Sequence, residues 1–476
     1  MALVFAYGLP AEGLAKDLAV VEPVTRCEGL SGSTFAVGTD PVRITAAKVN
    51  GDNSASPFCE VTGYVAPQVR FAIKLPLKTW RQRMLFLGCG GFCGGVGTRA
   101  WAMANCQPYE RGEFAVVYSD LGHTAVNSDA VWASGNPQGI RDFGSRGVHV
   151  VQLAARNLID SFYRQPPKYS YFSGCSDGGR EALMSAQRYP RDFDGIVAGA
   201  PAANMTMNNS IYHGWLVQHL LSPDRQQLVD DSQLLAVQAE AIRQCDGLDG
   251  RVDQVIGNPG KCHPNLERLS CPATSQLVCL TPQQIGLVQA LYAGPSDAKG
   301  RLLYHGVPPG SEYSWGRQVR GSAEFAFNFT SFMTGAVRPE ARDVWKLGYT
   351  PADLKRYNFN ARELNALDPD LGAFNSGGGK LLVWHGSADS SIPPGSSSAY
   401  IEAVRKRMGV AKANEFLRFY LVPGMAHCTP IAPGPTAVNF LDPLMQWVED
   451  GIAPNSIPAW SASGAADWNL KPYVSD

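Results

Sequence analysis

Hydrophobic residues in this chain gather in short runs, each closed by a turn and followed by residues that carry chemistry. Residues 84–87 (Met-Leu-Phe-Leu) open onto a glycine-rich loop at 88–95. Residues 169–173 (Tyr-Ser-Tyr-Phe-Ser) lead into Gly174-Cys175-Ser176-Asp177-Gly178, after which the pattern turns helical. Residues 380–384 (Lys-Leu-Leu-Val-Trp) run through His385 to a turn bearing Asp389, and residues 416–422 run to a loop bearing His427. Apolar runs of this length between turn residues predict strands. Phe325, Phe327 and Phe329 alternate, which predicts a strand or extended segment with one aromatic face.

Gly174 to Gly178 is a G-x-S-x-G nucleophile elbow in its strand–turn–helix setting. Side chains flanking the serine in so tight a turn would collide with backbone, and glycine tolerates the unusual dihedrals. The serine hydroxyl is thereby exposed at the carboxyl end of a sheet. A hydroxyl is a weak nucleophile at neutral pH and needs a histidine base, itself oriented by a carboxylate. In α/β hydrolases these follow in the order Ser, Asp or Glu, His. The residues in that order at strand ends are Ser176 as nucleophile, Asp389 as orienter and His427 as base and acid. His123 precedes the serine, which breaks the order, and His385 at a strand end is expected to pack or bond to backbone.

An oxyanion hole needs backbone N–H groups aimed at the developing charge. One is expected from Asp177, directly after the nucleophile, and the other from the glycine-rich loop, with Gly91 favoured and Gly90 next. That loop lacks the Lys-Ser/Thr of a P-loop, and no G-x-G-x-x-G with a partner acid follows.

Eleven cysteines point to an oxidising compartment. A zinc site would want C-x-x-C pairs or clustered histidines, and neither occurs. Cys175 precedes the nucleophile and Cys428 follows the base, so a formed triad brings their Cα atoms toward disulfide distance. Such a bridge would tie nucleophile to base. Proximity in sequence suggests Cys245 with Cys262 and Cys271 with Cys279, and Cys27 with Cys59 could pin the N-terminal segment. Of Cys89, Cys93 and Cys106, at least one is left unpaired; the expected pair is Cys93 with Cys106.

Gly-Cys-Ser-x-Gly-Gly-Arg at 174–180 with Pro-Gly-Met-x-His-Cys at 423–428 resembles the tannase and feruloyl esterase family, which also includes mono(2-hydroxyethyl) terephthalate hydrolases. The resemblance runs from Cys27 to about Trp460. It implies an α/β-hydrolase fold with a large inserted lid domain, the Ser176–Asp389–His427 triad and the Cys175–Cys428 bridge. Residues 194–201 (Asp-Gly-Ile-Val-Ala-Gly-Ala-Pro) look like the strand after the nucleophile helix. The resemblance also implies a structural calcium site in the lid, matched here by residues 245–256. Asp246, Asp249 and Asp253 are hard oxygen donors on a glycine-containing loop, which suits Ca2+, though the spacing is not that of an EF-hand. By resemblance the carbonyls of Arg251 and Val255 complete the shell, and Cys245–Cys262 staples the loop. The chain departs from the family in lacking a late cysteine pair and in carrying Cys89 and Cys93 inside the glycine loop.

A net charge of −1 gives no reason to expect nucleic acid or an anionic membrane as partner. No apolar run approaches the roughly 20 residues of a transmembrane helix. Residues 1–7 are too short for a signal-peptide core and lack a basic lead, so a mature form whose signal has been removed is expected. The stretch between Pro201 and Lys380 far exceeds an ordinary connection and must have its own structure. Residues 1–202 and 373–476 are expected to form the catalytic domain and 203–372 the lid, which holds the calcium loop and many aromatics.

The combined expectation is a secreted serine carboxylic ester hydrolase acting on a small-molecule aromatic ester. The resemblance implies a hydroxycinnamate such as ferulate first, gallate second and a terephthalate monoester third. An acyltransferase could use the same triad. A non-enzymatic binding module would usually have lost a triad member, and this chain keeps all three.

Overall fold

A computed structural model of the chain describes residues 16–51, 56–272, 278–334, 344–431, 433–464 and 468–474. The apolar stretch at residues 1–7 lies outside the described residues.

Among the described residues ten strands form one sheet: β1 (Thr34–Val37), β2 (Asp40–Asn50), β3 (Phe58–Val65), β4 (Val69–Pro76), β5 (Arg83–Leu87), β6 (Phe114–Ser119), β7 (Tyr169–Cys175), β8 (Gly195–Gly199), β9 (Lys380–Gly386) and β10 (Leu417–Val422). Their spatial order is β1-β2-β3-β4-β6-β5-β7-β8-β9-β10. The pairs from β1 to β6 are antiparallel, and those from β6 through β5, β7, β8 and β9 to β10 are parallel. A separate small sheet holds β11 (Ala437–Val438), β12 (Ile457–Trp460) and β13 (Trp468–Leu470).

The two halves of the large sheet differ for a legible reason. In β3 buried and half-buried residues alternate, as in a sheet covered mainly on one face. In β5 and β8 every residue is buried, because helices cover both faces of a parallel sheet. Alternate side chains feed two cores: Met84, Phe86, Phe172 and Ile196 enter one, Leu85, Leu87, Tyr171 and Val197 the other. This is the α/β-hydrolase arrangement. The strand carrying the elbow, β7, is central, with β5 and β8 on either side.

Between β8 and β9 the chain builds helices that include His213–Leu220, Asp231–Cys245, Pro282–Ala293 and Trp315–Asn328. They enclose an apolar core of their own, with Tyr212, Trp215, Leu291, Trp315 and Val319 buried in it.

Two expectations fail. Phe325, Phe327 and Phe329 are not extended: the first two lie in the helix Trp315–Asn328, and Phe329 opens the π-turn Phe329–Met333. Three alternating aromatics carry too little pattern to set the period, and residues 325 and 329, four apart, share a helical face. Both pack on Phe92, at ring-centroid distances of 5.0 and 6.2 Å. The second failure is the Cys93–Cys106 pair. Cys93 is bonded to Cys89, while Cys106 is a buried free thiol 3.1 Å from Asp442 Oδ1. Cys89 and Cys93 belong to one core and Cys106 to the other, so the sheet stands between them. The remaining pairs form as expected: Cys27–Cys59, Cys175–Cys428, Cys245–Cys262 and Cys271–Cys279.

Candidate active site

The elbow follows from the glycines around it. Ser176 takes φ 67° and ψ −119°, in the left-handed half of backbone space. The turn survives because backbone packs directly on backbone: a Cβ on Gly174 would sit 2.6 Å from the Gly178 carbonyl carbon, and one on Gly178 would sit 2.9 Å from Cys89 O. The helix Asp177–Arg188 starts at the next residue.

Three loops at the carboxyl ends of β7, β9 and β10 bring the expected residues together. Ser176 Oγ donates to His427 Nε2 at 2.8 Å, and His427 Nδ1 lies 2.7 Å from Asp389 Oδ2. Asp389 is fully buried, and its Oδ1 accepts the amides of Ser391 and Ile392 at 2.8 and 2.9 Å. Burial is the largest influence on this carboxyl and pushes it up. The charge of His427 and the bonds from both neighbouring histidines outweigh it, so the group is held below the usual carboxylate range. An ionised Asp389 can only accept, which puts the His427 proton on Nδ1 and leaves Nε2 free to accept from the serine.

His385 also reaches Asp389 Oδ2, at 3.2 Å, but its Nε2 is closer to the Ile392 carbonyl, at 2.7 Å. It braces the acid from behind, consistent with the expected backbone bond. His123 bonds to the Phe92 carbonyl at 2.7 Å and stacks on Trp132, away from the triad.

A cavity of about 280 Å³ opens over Ser176. Gly90 and Gly91 line it beside Asp177, and so do the rings of Phe92, Trp101 and Phe325. No hydrogen bond engages the amide of Gly90 or Gly91 among the described residues, whereas Phe92 N–H is spent on the Asn127 carbonyl at 2.6 Å. The amide of Asp177 opens a helix and has no carbonyl one turn back.

The insert supplies wall residues that the sequence did not single out: Met205, Asn208, Asn209 and His213. They sit on the short helix Met205–Met207, the π-turn Asn208–Tyr212 and the start of the helix that follows it. Pi-turns recur at functional sites, but their backbone bonding leaves no signature in composition. His213 Nε2 bonds to the Ser391 carbonyl at 3.0 Å. Burial pushes its imidazolium down to about 4, so the ring is neutral at neutral pH. Among the described residues the cavity lining contains no Lys or Arg.

Cys89, Cys93, Asp177 and Glu181 place ligand-type atoms within 4.8 Å of one another beneath the glycine loop. The two sulfurs are joined in a disulfide, so no thiolate is left for a metal. In the loop at 245–256, Asp246 Oδ1 accepts the amides of Asp253 and Val255 at 3.1 and 3.2 Å, and Asp249 Oδ1 accepts that of Arg251 at 3.0 Å. Arg251 Nε bonds to Asp253 Oδ2 at 2.7 Å, while Asp253 Oδ1 is buried without a partner. An orphaned carboxylate oxygen among hard donors fits a calcium ion chemically. The three carboxylates do not, however, gather within 4.8 Å of one another.

The family model described as "Tannase and feruloyl esterase" matches residues 48–470. A probable feruloyl esterase B-1 of Neosartorya fischeri is 31% identical over 448 residues, covering 90% of this chain and 83% of that protein. A probable feruloyl esterase B-1 of Aspergillus oryzae is 32% identical over 447 residues, covering 87% and 78%. Among solved structures, feruloyl esterase B from Aspergillus oryzae superposes with a TM-score of 0.81 at 28% identity, over 92% of this chain and 93% of that one. The tannin acyl hydrolase from Aspergillus niger shares the fold, with a TM-score of 0.74 at 22% identity over 91% and 87%.

Proposed function

The chain belongs to the tannase and feruloyl esterase family and is a carboxylic ester hydrolase; we propose that it cleaves aromatic acyl esters, hydroxycinnamates such as ferulate first. The observation that carries this reading is the cavity over Ser176. Its aromatic rings suit a flat acyl group, and amide side chains and a neutral histidine can bond to phenolic or methoxy oxygens. A terephthalate monoester would bring a carboxylate into a wall without a described Lys or Arg, and an unpaired buried charge is costly.

Ser176 attacks the ester carbonyl while His427 takes its proton, and Asp389 steadies the imidazolium that forms. The amides of Asp177 and Gly91, with Gly90 adjacent, receive the oxyanion. His427 then protonates the leaving alcohol, and water resolves the acyl-enzyme by the same route in reverse. Residues 203–372 act as the lid, because Met205, Asn208, Asn209, His213 and Phe325 reach the cavity from that insert. Calcium at Asp246, Asp249 and Asp253, with the carbonyls of Arg251 and Val255, would offset the negative charge of these acids and tie the loop. The five disulfides support export to an oxidising compartment.

The test is a panel of methyl ferulate, methyl gallate, a terephthalate monoester and 4-nitrophenyl acetate, run with and without an added alcohol acceptor. The expected result is the highest kcat/KM on methyl ferulate, with free acid as product. Ser176→Ala is expected to lower kcat by several orders of magnitude. Preference for gallate or the terephthalate monoester would replace the acyl assignment, and dominant transfer to the alcohol would make the protein an acyltransferase. More than a tenth of wild-type activity in Ser176→Ala would remove the nucleophile.

A further inference from the structure

We propose that the Cys89–Cys93 bridge and Glu181 form a positioning clamp that holds the Gly90 and Gly91 amides at the oxyanion site of Ser176. This rests on the ester-hydrolase reading of the site and adds to it two features outside the triad.

The need for a clamp follows from the loop itself. An oxyanion hole works because its donors are already in place when charge develops. Yet the segment 88–95 has glycine at 88, 90, 91, 94 and 95, the residue with the most conformational freedom to lose. Gly91, Cys93 and Gly94 all take positive φ, at 63°, 59° and 100°. Something must hold that conformation.

The disulfide closes a small ring around Gly90, Gly91 and Phe92. Its sulfurs rest on Asp177 and Glu181, in the first two turns of the helix that begins after Ser176. Cys89 Sγ lies 3.0 Å and Cys93 Sγ 3.8 Å from Glu181 Oε1, and Cys93 Sγ lies 3.4 Å from Asp177 Oδ2. The same Glu181 oxygen accepts the Cys89 N–H at 3.0 Å. Glu181 is one helical turn beyond Asp177, whose amide is the other oxyanion donor. One helix therefore carries one donor and anchors the loop that carries the other.

The far side of the loop is fixed as well. Phe92 gives its N–H to the Asn127 carbonyl and takes a bond from His123 on its own carbonyl, at 2.6 and 2.7 Å. Gly90 and Gly91, which line the cavity and whose amides take no backbone partner among the described residues, lie between these two fastenings. All four clamp groups are buried: Cys89 at 7%, Cys93 at 5%, Asp177 at 1% and Glu181 at 2% exposure. Asp177 is held by Arg180 through both oxygens, at 2.5 and 3.0 Å. Burial, reinforced by the charge of Asp177, pushes the Glu181 carboxyl well above the usual carboxylate range. Glutamine is the conservative replacement: it matches the side chain in shape and keeps a carbonyl for the Cys89 amide.

The experiment compares wild type, Glu181→Gln, Glu181→Leu and the double variant Cys89→Ala/Cys93→Ala on 4-nitrophenyl acetate. It also measures affinity for phenylboronic acid, which forms a tetrahedral adduct on a nucleophilic serine, and inhibition by ferulate. The expected result is a loss in kcat of about ten- to a hundred-fold for Glu181→Leu and the double variant, with KM within about threefold. Phenylboronic acid affinity should fall by a similar factor while ferulate inhibition holds, and Glu181→Gln should keep more than about half of kcat. The clamp is overturned if both disruptive variants keep kcat within about twofold, if kcat falls without loss of boronic acid affinity, or if Glu181→Gln falls as far as Glu181→Leu. Should the double variant not fold, the two Glu181 variants decide by the same criteria. Ser176→Ala in parallel separates the levels: its retention of activity would sink the ester-hydrolase reading, whereas its inactivity with unaffected clamp variants would sink the clamp alone.

Discussion

His213 shows how a single side chain can set the acid behaviour of this protein. Its ring is buried in the cavity wall, and desolvation is the main reason its imidazolium is pushed down to about 4. His123 is pushed down to about 4 by burial too. The unfolded chain binds these protons near pH 6.5, and the native state resists them until about pH 4. Unfolded protein therefore binds more protons across that window, so stability rises with pH there and is lost on acidification. A shift of this size corresponds to about 3 kcal/mol per histidine. Urea midpoints measured from pH 7 down to pH 4.5 are expected to fall for wild type and to fall less steeply for His213→Gln. Parallel slopes would show that His213 titrates as freely in the native state as in the unfolded chain. Nothing in the sequence could have singled out His213, since its consequence depends on Ser391 and Phe325, more than a hundred residues away. The triad was legible because each of its members sits at the end of an apolar run and chemistry dictates their order. Glu181 looked like any helix residue until its partner, the Cys89 amide, came into place.

At the scale of elements, the Cys175–Cys428 bridge joins the end of β7 to the loop after β10 with a Cα separation of 6.1 Å. Its position was readable from the sequence because both cysteines abut residues whose distance the triad already constrains. The Cys89–Cys93 pair was misassigned because nothing fixed the path of the glycine loop beforehand. Phe325 was misread for a related reason, since a short alternation cannot outvote the helical propensity around it. Replacing Cys175 and Cys428 together by alanine removes the link without leaving a free thiol. The chain-entropy account puts the loss for so long a loop at up to about 5 kcal/mol, with measured values often lower. The double variant is expected to melt lower and to lose activity even at temperatures where circular dichroism shows it folded. Full activity in the folded variant would reduce the bridge to a stabiliser.

In the whole molecule, β5, β7, β9 and β10 of the large sheet were announced by their apolar runs and β8 by the resemblance, whereas β1 to β4, β6 and the internal arrangement of the insert were not. The insert's core draws its aliphatic and aromatic side chains from several separate helices and loops, so no single stretch announces the whole. The loop at 245–256, where calcium is proposed, lies in the insert and outside the triad. Val255 and Ile256 are nonetheless buried, and Ser387 Oγ, two residues before Asp389, donates to the Ile256 carbonyl at 2.8 Å. Chelation is expected to lower the melting temperature more than it lowers kcat measured below that temperature, as a ligand of the native state requires. Unchanged melting in excess chelator, together with no metal by elemental analysis, would dismiss the ion.

The long disulfide has one more consequence, for what happens when the backbone is cut. The other four bridges are local, spanning 32, 4, 17 and 8 residues, whereas Cys175–Cys428 spans 253. Every peptide bond of the insert lies inside that closed circle of chain. A protease nick there opens the circle without dividing the molecule: Ser176 and His427 end up on different fragments, still fastened by the sulfur–sulfur bond between their neighbours, at the place where serine and histidine meet.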